Sequence, residues 1–245
     1  MQTLCRIAFV VLCSCLPATV LADGLIYQLP PDGTWARFQA DVTGERPDGT
    51  VETMTGTFTL SSVGVAEVDG EACRWIEIRR DLKRNDQSVT ALHKLLIPEK
   101  HLGKGQDPLP HVHKAWFSPS QTLNGTAQEI PGLKGTDRQQ LNMLHPYLYG
   151  PIKNSKPLSP LEVESKLGKL NCEGVTAQEN TEPGTNVTLD STYLLRLHRS
   201  APFGVVTYES TSKLQLNNKD QGAMKLKLKL MDFGKGAKSK LPDSK

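Results

Sequence analysis

The chain has little of what most readily announces a function. Only 5 of its 245 residues are cysteine and 6% are aromatic, and 29 Lys and Arg nearly balance 26 Asp and Glu, for a net charge of +3. So small an excess, with aromatics that are not interleaved with Lys or Arg, excludes a basic nucleic-acid-binding surface. No apolar run beyond residue 21 approaches the ~20 residues that a bilayer-spanning helix needs, so no transmembrane span is expected in the body of the chain. There is no C-x-x-C pair, which removes a dithiol redox centre and the usual structural zinc patterns. G-x-S-x-G, H-E-x-x-H, the P-loop and the dinucleotide fingerprint are also missing. With them go the commonest signs of an activated nucleophile, a zinc peptidase or a nucleotide enzyme, and no cofactor is implied.

What is present begins with an export signal. Arg6 precedes the apolar stretch Ile7 to Leu16, and Pro17 leads to the small-residue exit Val20-Leu21-Ala22 before Asp23. Residues 1–22 therefore read as a signal peptide and the body of the chain as periplasmic or extracellular. The competing reading is a lipobox, Leu12-Cys13-Ser14-Cys15, with Cys15 acylated; its apolar region is short, and one acyl chain anchors weakly. Cleavage after Ala22 removes Cys5, Cys13 and Cys15 and leaves Cys73 and Cys172. In an oxidising compartment these two are a candidate disulfide, the alternative being two separate buried thiols.

The mature chain alternates apolar and polar residues with period two, the pattern of a half-buried strand. Met224, Leu226, Leu228 and Leu230 alternate with Lys225, Lys227 and Lys229; on a helix these four apolar residues scatter around the circumference. Phe38, Ala40 and Val42 repeat the pattern, as do Met54, Phe58 and Leu60, Ile76 and Ile78, and Tyr193, Leu195 and Leu197. Val205 to Glu209 and Lys213 to Leu216 complete the set. Arg46-Pro47-Asp48-Gly49, Asp69-Gly70 and Asn217 to Gly222 are the turns between runs. The expected fold is mainly β, a long antiparallel meander in one domain over residues 23–233, forming a curved sheet or half-barrel. Residues 98–160 read as a Pro/Gly-rich insertion with one or two short helices. One is capped by Thr136 and Gln139, carries Leu141, Leu144 and Leu148, and is ended or kinked by Pro146. Residues 234–245, without apolar period, read as a disordered lysine-rich tail.

If the strands form one open sheet, its concave side presents Phe38, Met54, Phe58, Leu60, Leu195, Leu197, Leu226 and Leu228. Such a face either packs as a core or holds an apolar ligand. His111 and His113 point the same way on an extended segment and are the one metal candidate, although a third ligand is not evident. His93, His145 and His198 read as isolated structural residues.

The strand, proline turn, strand unit from Tyr193 to Glu209, through Ala201-Pro202-Phe203-Gly204, resembles the lipoprotein-carrier superfamily of periplasmic half-barrels, the LolA/LolB-like proteins. Thr55-Gly56-Thr57-Phe58-Thr59-Leu60 is similar to an early strand of that type. The resemblance implies a half-barrel that binds an apolar or lipidated ligand. The chain also resembles exported bacterial proteins of uncharacterised function in Leu96 to Lys100 and in Asp232 to Lys235. The reading is an exported, non-enzymatic envelope protein with an apolar or lipidated ligand, its lysine-rich tail available for contact with the envelope surface. Alternatives are a structural or protein-interaction module, and a hydrolase or metal-dependent enzyme without a recognisable motif. Secretion in a bacterial host is expected to yield a chain whose intact mass begins at Asp23; a product retaining residues 15–22 with added acyl mass refutes the signal-peptide reading.

Overall fold

The computed structural model describes residues 24–120, 128–130, 144–148, 150, 154–184 and 186–241. Its strands are β1 (Trp35–Glu45), β2 (Val51–Val68), β3 (Glu71–Arg84), β4 (Gln87–Pro98), β5 (Lys114–Ser120), β6 (Gln128–Glu129), β7 (Lys156–Ser165), β8 (Gly168–Gly184), β9 (Val187–Leu197), β10 (Val205–Leu216) and β11 (Lys219–Gly234). They form one sheet in the order β6-β5-β4-β3-β2-β1-β11-β10-β9-β8-β7. Every pairing between neighbours is antiparallel. Two meanders are thus fused back to back where β1 meets β11. The outer strands β6 and β7 do not pair, so the sheet does not close into a barrel.

The turns follow from residues that tolerate positive φ. Asp69 (φ 53°) and Gly70 (φ 79°) join β2 to β3, and Asn217 (φ 51°) and Asn218 (φ 59°) join β10 to β11. Both are two-residue turns whose twist matches that of their strands. The second is shorter than expected: β11 begins at Lys219, and Gly222 lies within it rather than in a loop. At Gly222 (φ 103°) a Cβ would collide with the Glu45 carbonyl oxygen, so only glycine lets the strand pass there.

Long strands with one wet face need something to cover the other. Here the sheet curls on itself, and the inner side chains of β1–β4 and β8–β11 meet in a single core with Leu25, Ile26, Leu144, Tyr147 and Leu148. The last five belong to two short segments that plug the concavity. Gly24 backs directly onto Tyr147, and the Leu25 N–H donates to the Tyr147 carbonyl at 2.6 Å. The helix expected from Thr136 lies outside the described residues as far as 143. Its described end, His145–Leu148, is helical across Pro146 rather than ended by it. The bonds it makes run from the N–H groups of Tyr147 and Leu148 to the Leu144 carbonyl, and none requires an N–H from residue 146.

One end of the curl is tied by polar contacts. Arg74, buried in β3, donates to Glu99 at 2.6 and 3.0 Å, to the Pro30 carbonyl at 3.1 Å and to Ser62 at 3.0 Å. Asp32 accepts from the Ser62 hydroxyl and the Gly64 N–H, both at 2.8 Å. The segment before β1 is thereby held to β2 and β3. On its other side, the Tyr27 and Gln28 N–H groups donate to the Phe203 carbonyl in the β9–β10 turn.

Two expectations are corrected. The segment after Gly234 is not disordered as far as Leu241: it folds back over the outer face of the sheet. The Ala237 N–H donates to the Gly33 carbonyl at 2.8 Å, and Glu77 accepts from the Ser239 hydroxyl at 2.6 Å and the Lys240 N–H at 2.9 Å. Leu241 is buried at its end. The reason is a carboxylate: Glu77 is itself buried on β3, and the strap supplies the donors that a buried charge requires. The second correction concerns the cysteines. Cys73 on β3 and Cys172 on β8 are both buried and free, with β2, β1, β11, β10 and β9 between their strands in the sheet order. Burial raises both thiols above their ordinary pKa and keeps them protonated, hence poorly reactive. A chain beginning at Asp23 is therefore expected to titrate two thiols in denaturant without reductant, and to show the same Tm with and without dithiothreitol; a Tm that falls on reduction restores the bridge.

Candidate functional site

The inner face of the sheet is built in transverse rows, because antiparallel partners on neighbouring strands share a face. Phe58 stands opposite Phe38, and Phe38 opposite Leu230. In the next row Ala40 meets Leu228, which meets Tyr208, which meets Leu195. In the next, Val42 meets Leu226, then Ser210, then Tyr193. All eight residues expected on the concave side are brought to this one face. Phe38, Phe58, Leu60, Leu195, Leu197, Leu226 and Leu228 are buried in the same core cluster as the plug residues, and Met54 is half-buried against it.

This face also carries polar groups that the apolar pattern does not announce. On β3 the inward series is Ile76, Ile78, Arg80 and Leu82, so an arginine interrupts an aliphatic row. His93, on β4 opposite Ile78 and β5 Phe117, is fully buried. Its ring lies 4.6 Å from that of Phe117, and neither ring nitrogen has a hydrogen-bond partner among the described residues. The Arg80 Nε is buried and equally unpartnered, while its guanidinium lies 5.8 Å from the centroid of Tyr147. Tyr147 in turn rests on Phe58 at 4.7 Å. Burial, and then the positive charge of Arg80, hold the His93 pKa down to about 3, so the imidazole is neutral.

On the opposite half, Tyr208 and Tyr193 lie 6.4 Å apart, and burial raises the pKa of both phenols. Beyond them the Ser191 and Ser212 hydroxyls bond at 2.8 Å. The inner surface is thus apolar at its centre, with a cation and a neutral imidazole on one side and phenols on the other. Arg80 was legible in the sequence as a charge breaking the Ile76, Ile78, Leu82 alternation. His93 was not, because residues 91–98 of β4 are buried on both faces and show no alternation.

His111 and His113, the alternative metal pair, are not brought together as one. His111 ends a 3-10 turn, Leu109–His111, and its ring stacks on that of His101 at 3.5 Å and 4°. A stacked ring does not aim its nitrogen lone pairs at a metal shared with His113. Among the described residues no three His, Cys, Asp or Glu side chains come together as a metal site. Among them, too, no helix is long and apolar enough to cross a membrane.

No protein-family model matches the chain, and no curated protein sequence does. Solved structures do align with it. A protein from Bacteroides fragilis described as exported, with a YmcC-like fold, is 8% identical with a TM-score of 0.31, over 87% of this chain and 100% of that one. A protein from Parabacteroides distasonis described as a lipoprotein is 9% identical with a TM-score of 0.28, over 85% of this chain and 100% of that one. A β-barrel-like protein from Brucella abortus, of a domain of unknown function, is 8% identical with a TM-score of 0.28, over 85% and 99%.

The neutral His93 sets a pH dependence. Its folded pKa lies below the unfolded value of 6.5, so between pH 6.5 and about 3 the unfolded chain takes up a proton that the folded chain refuses. Stability present at neutral pH is then lost on acidification, by up to ~1.4 kcal/mol per pH unit from this group. His93→Leu is expected to flatten that fall in urea-unfolding free energy relative to the parent chain. Parallel curves for the two proteins between pH 6.5 and 4 refute a buried neutral histidine.

Proposed function

We propose that the protein is an exported, non-enzymatic binding protein of the cell envelope that holds an amphiphile, an acyl chain with an oxyanionic head, on the inner face of its curved sheet. The observation that carries this reading is the pair Arg80 and His93, with unpartnered buried nitrogens on an otherwise apolar face under a plug. A core evolved for packing alone has no use for such groups, since each unpaired buried donor costs roughly 1–3 kcal/mol. An oxyanion beside Arg80 supplies the acceptor that is missing. The likeness of the strand units to LolA/LolB-like carriers supports the same class of ligand.

The plug is the part that would give way. Leu25, Ile26, Leu144 and Leu148 cover the inner face, and each such side chain is worth roughly 1.5–3 kcal/mol of burial. An acyl chain of about twelve carbons offers a comparable sum at ~0.8 kcal/mol per methylene. Exchange of plug for ligand is then close to balanced, and the head-group pairing with Arg80 decides it. Lys225, Lys227 and Lys229, exposed on the outer face of β11, offer a positive surface to an anionic membrane.

The test is extraction and titration. Chain secreted through residues 1–22 is expected to carry lipid near one per protein by native mass spectrometry, and delipidated chain to bind 1-N-phenylnaphthylamine, displaced by lysophosphatidylglycerol. Arg80→Gln is expected to weaken the phospholipid about tenfold or more while leaving the uncharged probe nearly unchanged. A chain with no bound lipid and no probe binding at micromolar concentration overturns the reading.

A further inference from the structure

The outer face holds a second feature, unrelated to the plugged concavity: a crevice of about 540 Å³ between strands β1–β3 and the C-terminal strap. Its walls differ in what they have left to offer. Both carboxylates that line it are already committed. Glu77 accepts from the strap, and Asp81 accepts from Arg79 at 2.6 and 2.9 Å and from Thr90 at 2.9 Å. Burial pushes Asp81 up, but these donors and the nearby charge of Lys240 outweigh it and leave its pKa lowered. Both carboxylates are therefore neutralised or bonded within the protein, by Arg79 and by the strap.

Its donors are free. Thr57, Thr59 and Ser61, on alternate positions of β2, aim three hydroxyls into the crevice with no hydrogen bond to any described residue. Arg37 on β1 also makes none; its guanidinium is held 5.2 Å from the centroid of Trp35, a ring which packs on Gly234. Stacking fixes the plane of the guanidinium and leaves its N–H edges available. Lys238 completes the set from the strap, where its ammonium forms no ion pair with any described residue. A crevice of this size, with a pre-oriented arginine, a lysine and a row of hydroxyls, has the donors that a small oxyanion needs.

From this arrangement we infer that the outer crevice is a binding site for a small, soluble organic oxyanion, a phosphate monoester or a carboxylate with further hydroxyl groups. Arg37 and Lys238 meet its charge, and Thr57, Thr59 and Ser61 donate to its remaining oxygens. The strap forms one wall of the site, so the docking of Lys240 and Leu241 through Glu77 is what completes it.

Isothermal titration of the chain from Asp23 with glycerol 3-phosphate and with glucuronate tests this, alongside sedimentation with phosphatidylglycerol vesicles. One of the two soluble anions is expected to bind below millimolar concentration and to weaken as salt rises. Arg37→Gln is expected to raise its Kd about tenfold, and Lys238→Ala about threefold; Lys238 is exposed on the strap, so its loss leaves the fold intact. Arg80→Gln is expected to leave this Kd unchanged, which separates the crevice from the inner face. Binding of neither anion at 10 mM, a Kd indifferent to both crevice substitutions, or binding to the vesicles alone overturns the inference.

Discussion

An antiparallel strand that alternates apolar and polar residues has one face that must leave water. Most β folds answer with a second sheet, whose apolar face meets the first. This chain has a single sheet of eleven strands, so the same sheet has to supply both sides of its core. Its strands reach 18 residues, and register irregularities recur in β1, β2, β7, β8 and β10, the kind of local break that lets a long strand bend. Curling brings Tyr208 and Leu195 of one meander and Phe58 and Ile78 of the other into one core. Everything else in the fold follows from the two gaps that this solution leaves, an unfilled concavity and two unpaired edges.

The concavity is filled from outside the sheet. Segments 24–26 and 144–148 lie far apart in sequence and are joined to each other by the Leu25 to Tyr147 hydrogen bond. The edges are managed differently. β7 carries Pro157 and Pro160 with a break in register between Leu158 and Leu161, features that blunt an edge against pairing with another chain. The plug therefore covers the apolar surface without being part of the sheet, and its Tyr147 lies against Arg80.

The sheet holds its arginines in two ways. Arg74 has its donors satisfied by Glu99, Ser62 and Pro30, and acts as a structural tie at the end of the curl. Arg37 and Arg80 have aromatic neighbours instead, Trp35 and Tyr147, which position a guanidinium without occupying its N–H groups. A buried or stacked cation with free donors is a cost in an unliganded protein and an advantage once an oxyanion arrives.

The sequence by itself determined the class of fold, since a period of two is a local property: each strand's apolar face is written in residues two apart. It also determined the turn at Asp69-Gly70 and gathered Phe38, Phe58, Leu60, Leu195, Leu226 and Leu228 on one side, while the turn after Leu216 came out tighter than the run Asn217 to Gly222 implies. Tertiary structure decided what no local pattern encodes. Whether Cys73 meets Cys172, whether His111 faces His113 or stacks on His101, and whether a lysine-rich tail is free or held by Glu77 all depend on strand order and on contacts between segments distant in sequence or between separate loops. β4 shows the limit most clearly: buried on both faces over residues 91–98, it loses the alternation that marks a strand and with it the sign that His93 lies inside. Burial is a property of neighbours, and neighbours in a curled sheet are chosen by closure, not by sequence distance.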